Sequence, residues 1–261
     1  MNIKTKILLS AMIVSLSALF TTISNVFTNE VIVVSATQKD NDSQMEGWVI
    51  ADCVNIRKRP SIKSPAIEYL YFNEKISYNS YSKNWVKVFR KGKCVGYVNR
   101  KYIENNKPSY KIYDAPYTNG KKTFMPYAVY KNGRYMSVFS PSSKQYELQQ
   151  CCYTGIYGIR QCKNRFCVAL GSAFGLSIGQ FFDLCLDNGE VIKCIMADQK
   201  ADVHTDSSNI ITVHNGCTSE FIIDNKKLNS LANRMGDVSY CTDLWNSRVV
   251  KVKVYEKYIE L

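Results

Sequence analysis

Acidic side chains and the only two histidines of the chain are concentrated in the stretch IMADQKADVHTDSSNIITVHNGCTSEFIID, residues 195–224. Cleavage of a glycosidic bond requires an acid that protonates a poor leaving group. Burial or a second nearby carboxylate raises the pKa of an Asp or Glu enough for this task. The stretch therefore predicts a general acid–base site that needs no cofactor, with Asp198 and Glu220 as the catalytic candidates. The substrate-binding candidates are Asp202, His204, Asp206 and His214.

These residue types also have simpler explanations. Asp206 and Asn209 are typical turn residues that bond their own backbone, and Glu220 can be the polar side of an alternating strand. A metal site is disfavoured because DVHTD is not a known ligand spacing and two histidines do not complete a site. A nucleophilic Cys217 is weaker still, since its separation of three residues from His214 does not itself create a Cys–His pair. A metal-free carboxylate site is the prediction.

The N-terminus has the three parts of a secretory signal. Residues 1–6 are basic, residues 7–20 are an almost unbroken apolar run, and VVSA ends at Ala36 as a signal peptidase site requires. We therefore expect a signal peptide over residues 1–36 and secretion of the rest. A second, weaker apolar stretch before the cleavage site leaves an uncleaved membrane anchor as the alternative. Residues 37–46 are polar and aperiodic, which predicts a flexible tether.

The chain is strongly basic, with a formal net charge of +12. For an exported protein this charge favours anionic wall polymers such as teichoic acid, anionic lipid or peptidoglycan carboxylates over nucleic acid. A solvated charge surplus that keeps the protein soluble is the alternative. We expect peptidoglycan and other anionic wall polymers as partners, no nucleic acid, and a membrane only if the signal stays uncleaved. The sequence does not predict an oligomeric state.

All ten cysteines follow the predicted signal, and an even number in an exported chain permits disulfides. The spacings contain no CxxC pair, so a structural zinc site has little support. CLDNGEVIKC predicts a hairpin that turns at Asp187-Asn188-Gly189 and brings Cys185 near Cys194. A Cys185–Cys194 bridge is expected, with reduced buried cysteines as the alternative.

Residues 47–104 contain short runs rich in Val, Ile, Tyr and Trp, broken by turn residues. This pattern predicts a small all-β module. Three motifs, VNIRKRPS, NWVKVF and VGYVNRKYI, occur in the order found in the bacterial SH3-like (SH3b) family, which the module resembles. The resemblance implies binding of cell-wall peptides or glycans without catalysis.

The aromatic residues of this module can serve the core or a ligand. A barrel this small needs large buried side chains, so several of them are expected inside. Those that stay exposed would form an aromatic groove beside Arg57, Lys58 and Arg59. The aromatic residues are Trp48, Tyr69, Tyr71, Tyr78, Tyr81, Trp85 and Tyr97.

Residues 105–149 are predicted to link the module to a second domain and to lead into it. Two Asn-Gly turns, at Asn119 and Asn132, are flanked by strands. A Ser cap followed by good helix formers predicts a short helix over residues 144–150. Residues 150–261 alternate strands and turns and include a helix that ends at Gly236, which predicts a β-barrel with a peripheral helix.

The segments CVALGSAFGLSIGQFFDL, IMADQKAD and SEFIID resemble the 3D-domain group of double-psi β-barrels, which includes the barrel of membrane-bound lytic transglycosylase A. The resemblance spans roughly residues 158–224. It places Gly179 on the glycine of the group's turn, Asp198 on its loop aspartate, and Glu220 on or beside the aspartate of its last motif strand.

Three departures from this group concern the predicted site. DQKADVHTD lacks the Thr-Gly-Gly of the group's loop, Gly171-Ser172 replaces an aspartate, and residues 204–215 lengthen the loop. The expected fold class is mainly β, with an SH3b small barrel followed by a double-psi β-barrel-like domain with short peripheral helices.

Two functions follow from these resemblances. One is a secreted peptidoglycan-cleaving enzyme, similar to a lytic transglycosylase, that its SH3b module holds on the wall of a Gram-positive-type bacterium. The other is a wall-binding protein that keeps the barrel without its catalytic acid, which the missing Thr-Gly-Gly permits.

Overall fold

A computed structural model describes residues 44–260, which form a mainly β structure with two short α-helices. The predicted signal peptide, residues 1–36, lies outside the described residues. So does most of the tether predicted over residues 37–46, whose last two residues already belong to the first strand. No helix within residues 44–260 is long and apolar enough to cross a membrane.

The N-terminal module is one antiparallel sheet of seven strands in the order β3-β2-β6-β5-β4-β1-β7. Most strands pair with a neighbour in sequence, as the turn residues between them predict. A 3₁₀ turn, Arg100–Tyr102, precedes the last strand. The strands are β1 (Met45–Val49), β2 (Cys53–Arg57), β3 (Ala66–Tyr71), β4 (Lys75–Ser82), β5 (Trp85–Arg90), β6 (Lys93–Asn99) and β7 (Ile103–Glu104).

Alternation of apolar and polar residues along these strands builds the core of the module. In β5, for example, Val86 and Val88 are buried while the residues on either side are partly exposed. Successive side chains of a strand point to opposite faces, so one face of the sheet closes over the apolar residues. The core comprises Val49, Val54, Ile56, Leu70, Ile76, Tyr78, Val86, Val88, Val98 and Ile103.

The second part of the chain contains eleven strands and both α-helices. The N-terminal half of it comprises β8 (Tyr110–Asp114), β9 (Thr123–Pro126), β10 (Ala128–Lys131), β11 (Arg134–Ser137), α1 (Lys144–Cys151), β12 (Tyr153–Thr154) and β13 (Arg160–Cys162). The C-terminal half comprises β14 (Arg165–Leu170), β15 (Gln180–Leu186), β16 (Val191–Gln199), β17 (Glu220–Ile223), α2 (Ser230–Met235) and β18 (Val249–Tyr258).

Nine of these strands form one sheet with mixed pairing. Its main path is β12-β13-β14-β16-β15-β18-β8, and β17 pairs with β14 and β9. Two pairs, β14 with β16 and β9 with β17, are parallel, and the others are antiparallel. Strands β8 and β9 lie in the segment that the sequence predicts as a lead-in, so this segment completes the sheet.

Several local predictions for this part are confirmed. Helix α1 begins after Ser143, whose side chain accepts from the Tyr146 backbone N–H, as a capping serine does. Helix α2 ends at Gly236, which adopts a left-handed φ of 64° that glycine tolerates without strain. The turn at Asn132 joins the paired strands β10 and β11. Asn119 also lies between strands, but β8 and β9 pair with β18 and β17 rather than with each other.

The SH3-like module packs on the second sheet through the turn between β3 and β4. Phe72 is buried there, and its ring contacts those of Phe181 and Tyr255 edge-on at centroid distances of 5.4 and 5.2 Å. The Asn73 side-chain amide donates to the Tyr255 hydroxyl at 2.9 Å. At the C-terminus the Glu260 backbone N–H donates to the carboxylate of Asp52. The module is therefore joined to the sheet by an apolar contact with polar contacts around it.

All ten cysteines are free, and the predicted Cys185–Cys194 bridge is wrong. The hairpin of β15 and β16 turns as the sequence predicts, but its register places Cys185 opposite Val191 and Cys194 opposite Phe182. The two cysteines are thus three pairs apart along the hairpin. Because side chains alternate along a strand, that odd separation puts them on opposite faces of the sheet.

Candidate functional site

Asp198 and Glu220 reach the same face of the sheet from two different strands. Asp198 lies near the end of β16 and Glu220 begins β17, and the same residue of β14, Ala169, pairs with both. Residues paired across neighbouring strands project from one face, so both carboxylates lie on the face of Ala169. Their Cα atoms are two strand spacings apart, about 10 Å.

An open cleft of about 470 Å³ begins at this face. Four of the six predicted site residues line it, and they come from the end of β16, the loop that follows it and the start of β17. The lining residues are Asp198, Gln199, Lys200, Ala201, His204, Thr212, His214 and Glu220. The sequence predicts that the six residues share one site, and the structure brings four of them together in one cavity.

The Asp198 carboxyl is partly buried in the wall of this cleft. Burial raises the pKa of Asp198, because the charged form loses its hydration. The Gln145 side-chain amide of α1 donates to Asp198 Oδ1 at 3.1 Å and, with the Gln199 backbone, opposes part of that rise. Glu220 is not among the causes of the raised pKa. The sequence leaves two causes open for a raised pKa of Asp198, burial and a second nearby carboxylate. Burial is the one that raises it here.

A buried lysine lies beside Glu220 at the base of the cleft. The Lys200 ammonium donates to the Thr212 hydroxyl and, at 3.2 Å, to the Cys217 carbonyl. Burial lowers the pKa of Lys200, and the negative charge of Glu220 opposes this effect. Lys200 thus supplies positive charge near Glu220 and ties the two ends of the acidic loop together.

The loop over residues 200–217 is a compact hairpin that carries both histidines to the rim of the cleft. The Val213 N–H donates to the His204 carbonyl at 3.0 Å, and Thr205 forms a β-bridge with Thr212. The loop packs on Gly171, where an added Cβ would lie 1.9 Å from the Asn209 carbonyl oxygen. Only glycine fits there, so Gly171 allows the loop to pack this closely on the end of β14.

The other two predicted site residues do not line the cleft. Asp202 is exposed and accepts a hydrogen bond from the Ser172 hydroxyl at 2.6 Å. Asp206 accepts from Ser208 and from the backbone N–H groups of Ile210 and Ile211, and these bonds lower the pKa of Asp206. Both carboxylates therefore stabilise the loop, as the turn-residue alternative predicts for Asp206.

A cysteine nucleophile is not supported by the surroundings of Cys217. The Cys217 side chain is fully buried, and burial raises the pKa of its thiol, whereas a nucleophilic cysteine needs a lowered pKa. His214 is exposed, and its Nε2 lies 3.3 Å from the Asn215 amide. Within residues 44–260, no three His, Cys, Asp or Glu side chains are grouped as metal ligands would be.

The side chains of Gln145, Lys200 and Thr212 make hydrogen bonds in the site that the sequence analysis does not predict. Lys200 and Thr212 lie within the polar stretch that predicts the site, so their proximity in sequence is a usable signal. Gln145 is 53 residues from Asp198 and lies on a helix that carries no chemical motif. Only the packing of α1 against β16 brings it to the carboxylate.

A second, smaller cavity of about 160 Å³ lies on the SH3-like module. Arg57 lines it and donates to the Ser64 carbonyl at 2.6 Å, which shapes the loop between β2 and β3. Lys58 and Arg59 lie outside this groove on the exposed part of the same loop. The groove residues are Cys53, Val54, Asn55, Arg57, Ile62, Trp85, Asn99, Lys101 and Tyr102.

The aromatic residues of the module divide between core and surface. Tyr78 is fully buried, whereas Tyr69 and Tyr81 are about half exposed, at 52% and 49%. Tyr81 packs edge-on against Tyr97 at 4.9 Å, and Trp85 lines the groove. Some of the predicted aromatic residues are therefore exposed, but Trp85 alone of them lines the groove, so the residues that the structure describes do not form the predicted aromatic groove beside Arg57, Lys58 and Arg59.

Residues 52–104 match the bacterial SH3 domain family, which confirms the resemblance predicted from the three motifs. A search of curated proteins and a search of solved structures each found no match for the chain. The double-psi β-barrel resemblance of the C-terminal part therefore stays a prediction.

Proposed function

We propose that this protein is secreted, binds the bacterial cell wall through its SH3 domain, and cleaves glycan strands in the cleft at Asp198. The wall-binding role is supported by the family match of residues 52–104, since bacterial SH3 domains commonly bind peptidoglycan. The groove on this domain combines Trp85 with the cationic Arg57 and Lys101. An aromatic face and positive charges suit the sugars and carboxylates of peptidoglycan.

The cleavage role rests on one observation above all: a partly buried carboxyl with a raised pKa, Asp198, lines an open cleft together with a second carboxylate. A raised pKa keeps a carboxyl protonated at a higher pH than an ordinary aspartate, as a general acid requires. Glu220 faces Asp198 across Ala169 rather than contacting it, so Glu220 is suited to bind the sugar between them.

The proposed reaction begins with transfer of the Asp198 proton to the glycosidic oxygen, which breaks the bond to the sugar. The resulting Asp198 carboxylate then takes the proton from the muramic 6-hydroxyl as that oxygen closes on the sugar carbon. The product is a 1,6-anhydro sugar, and no activated water is needed. His204 and His214 line the same cleft, and in this proposal they hydrogen-bond the glycan.

The pairing of the second sheet supports the proposed relation to double-psi β-barrels. Parallel neighbours cannot be joined by a tight hairpin and need a crossover connection. Two such pairs, β14 with β16 and β9 with β17, meet next to the site. We infer that these interleaved connections form the barrel that the motif resemblance implies.

A secreted protein that retains its barrel for binding alone is the second candidate. It is favoured by one observation on Gly171-Ser172, the pair that replaces the group's aspartate. Gly171 lets the backbone of Asn209 approach closely, and the Ser172 hydroxyl donates to Asp202, so both residues hold the loop. The cleft would then bind glycan without cutting it.

Incubation of the mature protein with purified peptidoglycan sacculi separates the two candidates. The cleavage proposal predicts soluble 1,6-anhydromuropeptides, identified by mass spectrometry, together with sedimentation of the protein on the sacculi. Sedimentation without any soluble product would support the binding protein instead. Intact-mass analysis of secreted material tests the signal, since the expected mature protein begins at Thr37.

A further inference from the structure

Three cysteines that play no part in the proposed reaction converge under the C-terminal end of α1. The sulfurs of Cys152 and Cys167 lie 3.4 Å apart. Cys162 belongs to the same group, because its thiol also contacts that of Cys152. The three residues come from different segments, since Cys152 follows α1, Cys162 ends β13 and Cys167 lies in β14.

The backbone around the three sulfurs fixes their approach. Strands β12 and β13 pair Tyr153 with Gln161, so the same register places Cys152 opposite Cys162. Cys162 in turn pairs across β13 and β14 with Arg165, which places Cys167 on the same face as Cys162. Cys152 is therefore the one thiol that neighbours both others.

The three thiols differ in their access to solvent. Cys162 and Cys167 are buried, at 1% and 0% exposure, whereas Cys152 is partly exposed. Around them lie apolar side chains, including Leu148 and Phe181. A reagent in solution would thus meet Cys152 first.

We propose that Cys152 and Cys167 are an oxidation site that forms an intrachain disulfide. In a variant that lacks Cys167, Cys162 would take its place as the partner of Cys152. A disulfide has a sulfur–sulfur bond of about 2.0 Å, so the two sulfurs must approach by about 1.4 Å, which side-chain rotation can supply. The bond would tie the end of α1 to β14. The same helix carries Gln145, the donor to Asp198.

The oxidant in this proposal is a small disulfide or a disulfide-carrying oxidoreductase outside the cell. The Cys152 thiolate attacks that disulfide, forms a mixed disulfide and releases one thiol of the oxidant. The Cys167 thiolate then attacks the Cys152 sulfur and releases the second thiol. The protein loses two protons and two electrons, and the oxidant is reduced to two thiols.

The hydrogen bonds among the thiols, together with burial, set the rate of this chemistry. The hydrogen bond with Cys162 lowers the pKa of Cys152, but the hydrogen bond with Cys167 and burial outweigh it and raise that pKa. The hydrogen bond with Cys152 and burial raise the pKa of Cys162, so neither thiol is a thiolate to a large extent at neutral pH. The exchange is therefore expected to accelerate as the pH rises.

Peptide mapping tests the bond directly in the full mature protein. The folded protein is treated with oxidised glutathione, free thiols are blocked, and trypsin separates the three cysteines onto residues 145–160, 161–163 and 166–193. The expected result is a linked pair of residues 145–160 and 166–193, placed by fragment ions on Cys152 and Cys167, and the loss of two free thiols from the ten.

Three variants sharpen the result. Cys151→Ser is the matched control, because Cys151 is exposed and adjacent in sequence, and this variant should form the same bond. In the Cys152→Ser variant, Cys162 and Cys167 should both keep free thiols. Cys167→Ala should link Cys152 to Cys162. The proposal is overturned if the unaltered protein keeps all three thiols or joins Cys152 to Cys162, and this outcome is independent of wall binding and glycan cleavage.

Discussion

The groove of the SH3 domain and the cleft of the second sheet have opposite chemistry. The groove, about 160 Å³, is lined by Trp85 with Arg57 and Lys101. The cleft, about 470 Å³, is lined by two carboxylates, two histidines and a lysine. Only the cleft carries a carboxyl with a raised pKa among the residues that line the two cavities. The proposed function therefore assigns binding of the anionic polymer to the groove and proton transfer to the glycosidic oxygen to the cleft.

The two cavities also differ in how the chain builds them. The groove uses strands joined largely by short turns within one domain of about fifty residues. The cleft needs α1, β16, the loop over residues 200–217 and β17, which meet only after long-range pairing. This difference implies that the groove tolerates changes elsewhere in the chain better than the cleft does.

The largest expected effect comes from the contact that joins the two regions. Phe72→Ala should lower the free energy of unfolding by about 3–5 kcal/mol, because Phe72 is buried against Phe181 and Tyr255 and its removal leaves a cavity. Chemical denaturation of the mature protein measures it. Tyr69→Ala is the control, since Tyr69 is 52% exposed and should cost far less. Equal stability of the two variants would mean that the regions are not energetically joined through Phe72.

Asp198→Asn should reduce release of anhydromuropeptides by about 10²-fold or more, since the amide cannot donate and recover the proton. The variant should still sediment with sacculi. Its melting temperature at neutral pH should equal or exceed that of the wild type, because a carboxyl whose pKa is raised by burial destabilises the fold once the pH exceeds that pKa. Asp114→Asn is the control for release, because Asp114 is exposed on β8 and does not line the cleft. Equal release by Asp198→Asn and wild type would remove Asp198 from the mechanism.

Lys101→Glu should weaken binding to sacculi by about tenfold, since it reverses a charge that lines the groove. Co-sedimentation at low and moderate salt measures the affinity. Lys93→Glu changes the net charge by the same amount on an exposed strand position outside the groove, and it should have a smaller effect. If both variants bind equally weakly, net charge rather than the groove determines binding.

The smallest expected effect concerns the pH dependence of the cleft. A general acid loses activity as the pH rises through its pKa, so product release should fall on the alkaline side of that value. Gln145 donates to Asp198 and lowers its pKa, so Gln145→Met should move the fall to higher pH by less than about one unit. Gln150→Met, at an exposed position of the same helix, should leave the profile unchanged. A shift to lower pH would contradict the role of Gln145.

The sequence predicts local structure well where short-range signals determine it. The SH3 strands, the helix cap at Ser143 and the turn at Asn132 all depend on neighbours a few residues away. The Cys185–Cys194 bridge was wrong because it depends on register, and a shift of one residue turns a side chain to the other face. Parallel pairs such as β14 with β16 leave no local turn signal, so their partners could not be read from the sequence.

The candidate site was predictable to a similar extent. Asp198, His204, His214 and Glu220 are close in sequence to one another, and they line one cleft. Asp202 was misplaced because an acidic side chain in a loop can bond a distant partner, here Ser172, that the sequence does not indicate. Gln145 has no chemical signal at all, since its role arises only from the position of α1.

The most direct test of the division between groove and cleft measures sedimentation and product release in the same tube. Wild type, Asp198→Asn and Lys101→Glu are compared on the same sacculi and on a soluble glycan strand. The account predicts that Asp198→Asn binds sacculi like the wild type and releases about 10²-fold less product, or even less, from either substrate. It also predicts that Lys101→Glu cuts the soluble strand normally but releases less from sacculi. A wild-type protein that sediments and releases no anhydromuropeptide from either substrate would contradict it.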